Sequence, residues 1–234
     1  MIFLDTETNG LNFNKIIELA YINDKERYEK RYSLNEGEHI EIEAMAIHHI
    51  TEKMLNGLPT FEKSEDYEEL KQKIENDILV CHNTKYDYDI VLKWNYGFTI
   101  KDRICTLKVA KTLLPESKKH NLQFLRYYFW LEFDERIDPH AAISDVIVLK
   151  WVYEALFKLA KEKFPEKTDE EITQFFIDIE KNPVLLENVW FWKHKWEKFK
   201  DLPKEYLDWL IKINFDNEDV LYTAKHYLEK LNKA

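Results

Sequence analysis

The sequence is poor in glycine and has no long apolar stretch. Only four glycines occur in 234 residues, which excludes a glycine-rich phosphate loop and a dinucleotide-binding fingerprint. No segment approaches the roughly 20 consecutive apolar residues of a membrane-spanning helix, so we expect no contact with a membrane. Because the first apolar segment begins at Met1, we also expect no secretion signal, and the expected location is the cytoplasm.

Cysteine is scarce too, with only Cys81 and Cys105 in the chain. Both lie in apolar surroundings, so two reduced, buried thiols are expected rather than a disulfide. The absence of a C-x-x-C pair or a Cys/His cluster excludes a zinc site of ordinary spacing. The formal net charge of -10 argues against indiscriminate binding to polyanions, so any nucleic-acid site has to be local.

The most informative segment of the sequence is its first eleven residues, MIFLDTETNGL. Four mostly apolar residues lead into Asp5 and Glu7, and Asn9-Gly10 then turns the chain, which is typical of a buried central strand. Because side chains alternate along a strand, the two carboxylates point to the same face. They repel each other there, and a hard cation such as Mg²⁺ would neutralise them.

The following segments alternate between strand and helix patterns, which predicts an α/β domain with a mixed sheet. A long helix is expected from Asp138, as N-cap, and Pro139 to about Phe164. The other predicted elements are strands over 15–22, 27–34 and 77–83, a loop over 44–51, and helices over 52–55, 64–76, 85–94, 105–114 and 122–130.

A charged helix is predicted over 168–181, and from Val184 the pattern changes. The aromatic, lysine-rich segment over 189–199 predicts a β-hairpin, and a short helix over 204–212 follows. A last helix, capped by Asp216 or Asn217, is expected to end near Leu231. The predicted organisation is a main domain over 1–164, a helical linker over 165–186 and a small α+β module over 187–234.

Two further acidic positions are candidates for the site. Asp87 ends the segment HNTKYD, in the first turn of a helix that follows a buried strand. Asp145 lies five residues after His140 and interrupts an apolar helix stretch, where a buried carboxylate is costly unless it is paired or bound to metal. By themselves, Asp87 also suits a plain first-turn acid and His140 a surface histidine.

Together, the segments D-x-E, H-N-x-x-x-D and H-x-x-x-x-D resemble the DnaQ-like 3′→5′ exonuclease superfamily, and the histidine spacing is that of its DEDDh branch. The resemblance covers roughly residues 1–160. It includes AIHHIT over 46–51, with His49 where the branch usually has glycine. It implies a ribonuclease H-like fold, in which a mixed five-stranded sheet is flanked by helices.

The resemblance also implies a catalytic role for each acid. Phosphodiester hydrolysis of this kind uses two metal ions about 4 Å apart. Asp5 would bridge both ions. Glu7 and Asp145 would complete the ion that holds the attacking water, Asp87 would hold the other ion, and His140 would be the general base. The implied cofactor is Mg²⁺, two ions per site, with Mn²⁺ as a substitute.

The family grips the 3′ nucleotide with residues that follow the first strand. Main-chain amides there would hold the 3′ hydroxyl, and Leu11 would pack on the terminal base. His48 would touch the substrate or shape its loop, and both readings stay open. The substrate-binding candidates are Thr8, Asn9, Gly10, Leu11, His48 and Asn83.

The C-terminal segments resemble the small C-terminal domain of exodeoxyribonuclease X-like proteins, whose hairpin is usually F-G-K-H-K-G. Trp192 and Trp196 stand where that pattern has glycine. Five lysines and two acidic residues occupy 193–204, and lysines between tryptophans suit a surface that stacks bases and contacts a nucleic-acid backbone. A hydrophobic mini-core with solvated lysines is the alternative.

The sequence therefore predicts a metal-dependent 3′→5′ exonuclease that acts on single-stranded or frayed DNA 3′ ends and releases nucleoside 5′-monophosphates. Repair, proofreading or end-trimming are the expected roles, with an unidentified DNA polymerase or repair protein as partner. The alternatives are an exoribonuclease of the same branch and a nuclease-fold binding module without turnover. A paired-carboxylate glycosidase is excluded, because four acids and a histidine exceed what that chemistry uses.

Overall fold

The computed structural model describes residues 1–11, 15–132 and 140–233. The chain divides into two compact units, of which the first comprises 1–106 and 121–155 and the second 107–120 and 156–234. The domain boundaries predicted from the sequence, at 164 and 186, differ from the limits of these two compact units. They stay predictions. The helix start expected at Asp138 and Pro139 lies outside the described residues.

The first unit is built on a mixed five-stranded sheet, which confirms the predicted fold. In space the strand order is β3-β2-β1-β4-β5. Strand β2 is antiparallel to both of its neighbours, whereas β1–β4 and β4–β5 are parallel pairs. The strands are β1 (Ile2–Thr8), β2 (Ile16–Ile22), β3 (Arg27–Arg31), β4 (Ile78–Cys81) and β5 (Asp102–Cys105).

Strand β1 is central because its apolar side chains are buried on both faces of the sheet. Ile2, Phe3 and Leu4 are all buried, and so are the first six residues of β2. Strand β3, with the sequence RYEKR, has no buried residue and forms an edge, where charged side chains are favourable. The polar end of β1 is thus placed in the middle of the sheet.

Helices flank the sheet and build the second unit. The helix predicted over 85–94 is confirmed as Lys85–Asn95, and it is a π-helix, a rare form that is frequent at functional sites. The α-helices are α1 (Ile42–His48), α2 (Glu52–Leu55), α3 (Glu65–Glu75), α4 (Thr106–Leu113), α5 (Leu122–Tyr128), α6 (Ala142–Lys163), α7 (Asp169–Lys181), α8 (Lys204–Lys212) and α9 (Glu218–Lys233).

One sequence prediction for the first unit is wrong, and one strand was not predicted. The loop predicted over 44–51 contains α1, whose apolar residues Ile42 and Ile47 are exposed, so the helix lacks the usual amphipathic pattern. It ends at His49 with φ 60, a left-handed C-cap position that explains why glycine is usual there. No element was predicted over 102–104, where the structure has the strand Asp102–Cys105, whose four residues were too few to predict one. The helix predicted over 105–114 is confirmed, and it begins at Thr106.

The predicted β-hairpin over 189–199 is confirmed only as one antiparallel bridge, between Asn188 and Lys198. The Val189 N–H donates to the Glu197 carbonyl at 2.9 Å, and the Trp196 N–H donates to the Val189 carbonyl at 2.7 Å. Neither arm forms a strand, and the C-terminal module is helical rather than α+β in the described residues. The backbone turns out of the extended region at Trp196, with φ 77.

The second unit has its own apolar core, which packs α8 and α9 against the bridge region. Phe199 is fully buried, and Leu207 of α8 and Val220 of α9 belong to the same cluster. The last helix is capped by Asn217, whose side-chain oxygen accepts from the Val220 N–H at 3.1 Å. Asn217 is one of the two residues that the sequence predicts as the cap of this helix.

The two thiols lie in the sheet, in the state that the sequence predicts. Cys81 and Cys105 are both buried thiols, and they are paired residues in the register of β4 and β5. Among the described helices, none combines the length and the apolar character that crossing a membrane requires.

Candidate active site

Three carboxylates meet beside the central strand. Asp5 and Glu7 are two residues apart on β1, and Asp145 lies in the first turn of α6. One oxygen from each carboxylate lies within 4.8 Å of the other two. The alternation of side chains along β1 predicts the first pair, and the packing of α6 supplies the third acid.

Asp87 is brought to the same end of the sheet by β4. Because β4 runs parallel to β1, the turn that follows Cys81 delivers the start of the π-helix to the edge where β1 also ends. The Thr6 hydroxyl of β1 donates a hydrogen bond to Asp87 Oδ1 at 3.0 Å. Asp87 is buried and is thereby held against the strand that carries Asp5.

Burial and mutual repulsion make these acids hard to ionise. Burial, followed by the charges of Asp87, Glu7 and Asp145, raises the pKa of Asp5 well above its ordinary value. Burial and the charge of Asp145 raise the pKa of Glu7 to about 8. Burial raises the pKa of Asp87 to about 7, although hydrogen bonds from Thr6 counteract part of the effect. The cluster therefore favours a neutralising positive charge.

A hard divalent cation fits this donor set. Carboxylate oxygens are the ligands that Mg²⁺ and Mn²⁺ prefer, whereas softer metals select cysteine or histidine. In the part of the chain that the structure describes, the clustered ligands are all carboxylates. A bound cation would also lower the raised pKa values, because it stabilises the ionised forms.

The same shifts predict how stability depends on pH and metal. Glu7 has a pKa of about 8 when folded. The unfolded carboxyl loses its proton near its ordinary value of about 4.3. The folded state therefore holds more protons between these values, and without metal its free energy of unfolding should fall as pH rises from about 5 to 8. Mg²⁺ should restore the loss, so its stabilising effect should grow with pH.

Urea unfolding at several pH values, in EDTA and in Mg²⁺, measures this effect. The Asp24→Asn variant is the control, because it removes an acid from the exposed turn after β2. Stabilisation by Mg²⁺ that stays constant between pH 5 and 8 would contradict the cluster's coupling to metal.

Asp145 is held by two hydrogen-bond donors. The His140 main-chain N–H donates to Asp145 Oδ2 at 3.1 Å, and Gln123 Nε2 donates to Oδ1 at 3.0 Å. Burial raises the pKa of Asp145, and these donors offset part of that rise. Sequence reasoning missed Gln123, because an isolated glutamine in α5 carries no signal of a distant carboxylate partner.

His140 precedes α6 by two residues. Its φ is 64, in the left-handed region, and its side chain is exposed to solvent. The main chain of His140 is thus fixed on Asp145, while the imidazole is free of the packing that would hold a buried histidine.

A further buried acid, Glu18, was also missed. It faces Glu7 across the β1–β2 ladder and is 1% exposed. Arg31 Nε donates to one of its oxygens at 2.6 Å, and the Ala142 N–H donates to the other at 3.0 Å. Glu18 therefore ties the sheet to the start of α6, the helix that carries Asp145. The signal in the sequence was a single acid inside the apolar strand IIELAYI.

A pocket of about 410 Å³ lies beside Glu7. Its apolar part includes Leu11, which is 76% exposed, and Ile47 of α1, which is 52% exposed. A concave apolar wall next to a few polar groups suits a flat organic ring. The lining residues are Thr6, Glu7, Thr8, Gly10, Leu11, Glu41, Glu43, Ala44, Ile47, His48 and Tyr86.

Glu41 occupies one wall of this pocket. Its Oε2 accepts a hydrogen bond from the Leu11 N–H at 3.1 Å. Gly10 has φ +145, and a Cβ added there would lie 2.3 Å from the Glu41 carboxylate. Glycine is thus required where the main chain at residue 10 approaches the Glu41 side chain. Because Glu41 already accepts the Leu11 N–H, a substrate hydroxyl would have to displace Glu41 to reach that amide.

Asn9 and Thr8 use their side chains within the protein. The buried Asn9 amide donates to the His39 carbonyl at 3.0 Å, and its oxygen accepts from the Lys15 N–H at 2.8 Å. The Asn9 N–H also donates a hydrogen bond to the Lys15 carbonyl. The Thr8 hydroxyl lies 2.6 Å from the Tyr86 hydroxyl. These bonds fix the shape of the turn after β1.

His48 and Asn83 differ in position. His48 lines the pocket, but its Nδ1 accepts from the Ile50 N–H at 3.0 Å and burial lowers its pKa, so a neutral, loop-shaping ring is favoured. Asn83 is exposed at φ 77, and its carbonyl accepts from the Tyr86 N–H at 2.8 Å. Asn83 therefore forms the turn between β4 and the π-helix.

Replacement of Gly10 by alanine should destabilise the chain in two separable ways. The positive φ costs about 1–2 kcal/mol for a residue with a Cβ, and the clash displaces Glu41. Gly57→Ala is the control, because Gly57 also has a positive φ (+84) and has open space around it. In chemical denaturation Gly10→Ala should lose more stability than Gly57→Ala, and Glu41→Ala in the same chain should recover the difference. Equal losses would exclude the contact.

The mixed sheet, with acids on its central strand, defines the class of ribonuclease H-like nucleases. A family model described as "RNase_T: Exonuclease" matches residues 2–153. Exonuclease X in complex with 5′ overhanging duplex DNA has the same fold, with 24% identity, a TM-score of 0.54, and coverage of 76% of this chain and 98% of that one. The nuclease domain of 3′hExo, a DEDDh family member bound to rAMP, has 12% identity, a TM-score of 0.53, and coverage of 67% and 90%.

Two curated relatives of this chain are DNA polymerases. DNA polymerase III PolC-type of Staphylococcus aureus is 30% identical in an alignment of 171 residues that covers 69% of this chain and 12% of the polymerase. The Staphylococcus epidermidis protein is 29% identical over the same length. The chain thus matches a small part of each relative.

The chain belongs to the RNase_T exonuclease family, since the family model matches well over half of it. The match to this exonuclease family confirms the resemblance to the DnaQ-like 3′→5′ exonuclease superfamily and the prediction of a nuclease.

Proposed function

We propose that this chain is a metal-dependent exonuclease that hydrolyses DNA from its 3′ ends and releases nucleoside 5′-monophosphates. The proposal is carried by the meeting of Asp5, Glu7 and Asp145, near Asp87, in a member of an exonuclease family. A cluster of partly buried acids with raised pKa values costs stability. Metal-dependent catalysis explains that cost, whereas a binding module without turnover does not.

The residues that would hold metal follow from the geometry of the cluster. Asp5, Glu7 and Asp145 would share one Mg²⁺, and Asp87 with Asp5 would hold a second. When bound, the cations supply an activated water and neutralise phosphate oxygens. The contribution of the chain is to fix the carboxylates, as Thr6 does for Asp87.

His140 takes the proton of the attacking water in this proposal. Its main-chain N–H is bound to Asp145, so the imidazole is carried by a residue anchored to a metal ligand. The side chain is exposed, so it would be able to turn toward the substrate without breaking that bond. A general base needs this combination of fixed anchor and reach.

The pocket beside Glu7 would receive the 3′-terminal nucleoside. The exposed Leu11 side chain offers an apolar face to the base, and Gly10 lets the main chain approach closely. Because Glu41 accepts the Leu11 N–H, binding of a 3′ hydroxyl at that amide requires this carboxylate to swing away.

The names of the relatives support DNA as the substrate. The two curated relatives described above are DNA polymerases, and the exonuclease X structure contains duplex DNA. RNA is the second candidate, because the similar 3′hExo domain binds rAMP. Repair, proofreading or end-trimming, a polymerase or repair partner, and the cytoplasmic location are parts of the same proposal.

A comparison of matched substrates tests the choice of DNA. One sequence would be presented as single-stranded DNA, as frayed duplex DNA and as RNA, and kcat/KM would be measured for each in Mg²⁺. We expect the highest value on DNA. A higher value on RNA would assign an exoribonuclease, and tight binding without cleavage of any substrate would favour the binding module.

A further inference from the structure

The second unit carries a surface of exposed tryptophans and lysines that the proposed reaction does not use. Trp190 is 40% exposed and Trp196 is 46% exposed. Both line one cavity, together with Lys111, Lys118 and His120. We call this set of residues, with Lys195, the tryptophan–lysine face.

Lysine ammonium groups lie over these rings. Lys118 Nζ is 5.9 Å and Lys195 Nζ 5.2 Å from the centre of the Trp196 ring, and Lys111 Nζ is 5.7 Å from that of Trp190. Lys111 is neutralised by Asp219 at 2.9 Å. Within the described residues, Lys118 and Lys195 are in no ion pair, so both charges on Trp196 are free for an anionic ligand.

Charge is unevenly distributed between this region and the whole chain. The segments 107–120 and 187–204 hold nine lysines against four acidic residues, whereas the chain as a whole carries -10. Glu187, which also lines the cavity, is itself bound to Lys198 at 2.7 Å. A local excess of positive charge on an acidic protein attracts a polyanion to that place.

The backbone at Trp196 indicates that its ring is not there for stability. Trp196 has φ 77, in the left-handed region, where a bulky side chain is strained and glycine is relaxed. Among the described residues its ring contacts lysines and no other aromatic ring, and nearly half of it is exposed. Trp192, at φ 50, is different, because it packs on Trp209 and Phe215. Burial therefore compensates little of the strain at Trp196.

We propose that the tryptophan–lysine face binds single-stranded nucleic acid, with a base stacked on Trp196 and phosphates bound by Lys118 and Lys195. Aromatic rings stack any base, and lysines contact the backbone without reading sequence. The inference rests on the proposed function only in that the ligand is the nuclease's own class of substrate. Binding is measured without turnover, so the two proposals fail independently.

The test uses the full chain with Asp5→Asn, in EDTA, so that nothing is cleaved. Fluorescence anisotropy would measure the Kd for a labelled oligothymidylate of about 16 nucleotides, a length that fills an ordinary single-strand site. We expect Trp196→Gly to raise the Kd about 5- to 100-fold while the thermal midpoint stays equal or rises. Lys118→Gln with Lys195→Gln should flatten the log–log salt dependence by about 0.7 for each lysine.

Controls separate the ring from the backbone and from charge. Asn214→Gly changes another left-handed position of the same unit (φ 48) and should leave the Kd unchanged. If Trp196→Gly lowers the thermal midpoint, the Trp196→Phe and Trp196→Leu variants distinguish loss of the ring from loss of stability. Only the aromatic replacement should retain binding. An unchanged Kd in Trp196→Gly, equal binding by the Phe and Leu variants, or equal affinity for polyglutamate would overturn the proposal.

Discussion

Replacement of Asp5 by asparagine should lower the turnover rate by about 10³-fold or more, the expected loss when a metal ligand central to the reaction is removed. Asp5 belongs to the three-carboxylate cluster and is the acid whose pKa the most neighbours raise. Asparagine keeps the size of the side chain but not its charge. Digestion of a labelled oligonucleotide in saturating Mg²⁺ measures the loss.

The stability of the same variant should move in the opposite direction. Because the charge of Asp5 repels those of its neighbours, its removal should raise the thermal midpoint in EDTA, most clearly near pH 8. Asp24→Asn should change neither property, since Asp24 is exposed. Near-normal activity in Asp5→Asn would contradict the two-metal assignment. A lower thermal midpoint would show that Asp5 is a structural acid.

Replacement of His140 by alanine should lower turnover by roughly 10²- to 10⁴-fold, the usual contribution of a general base. Metal binding should survive, because the bond from residue 140 to Asp145 comes from the main-chain N–H, which alanine keeps. Calorimetry of Mg²⁺ or Mn²⁺ binding, alongside single-turnover kinetics, separates the two effects.

The backbone at residue 140 calls for a second variant. Its φ of 64 is strained for alanine, whereas asparagine tolerates this conformation. His140→Asn should therefore lose the same activity with less effect on stability. A collapse of metal affinity in both variants would make His140 a ligand and place the base elsewhere.

The sequence predicted best where one local rule decides the outcome. The D-x-E spacing puts Asp5 and Glu7 on one face because strand side chains alternate. The approach of Asp87 and Asp145 depends on how β4 and α6 pack, so their grouping came from the resemblance rather than from spacing. The unusual residues at His49 and Trp196 mark positions where the backbone has positive φ.

Partners that lie far apart in sequence could not be predicted. Glu18 meets Ala142, and Gln123 meets Asp145, only after the chain folds. Glu41 was missed for the same reason, because its bond to the Leu11 amide joins a loop to the turn after β1. Strand β5 was missed because its pairing with β4, and not its own four residues, makes it a strand.

The central claim, a metal-dependent exonuclease acting from the 3′ end, is tested most directly by digesting a 5′-labelled DNA strand in Mg²⁺ and in EDTA. In Mg²⁺ the labelled strand should shorten one nucleotide at a time, and mass spectrometry should identify nucleoside 5′-monophosphates as the products. In EDTA the strand should stay intact. Early release of the labelled 5′ nucleotide, internal cuts, or the same digestion in EDTA would contradict the account.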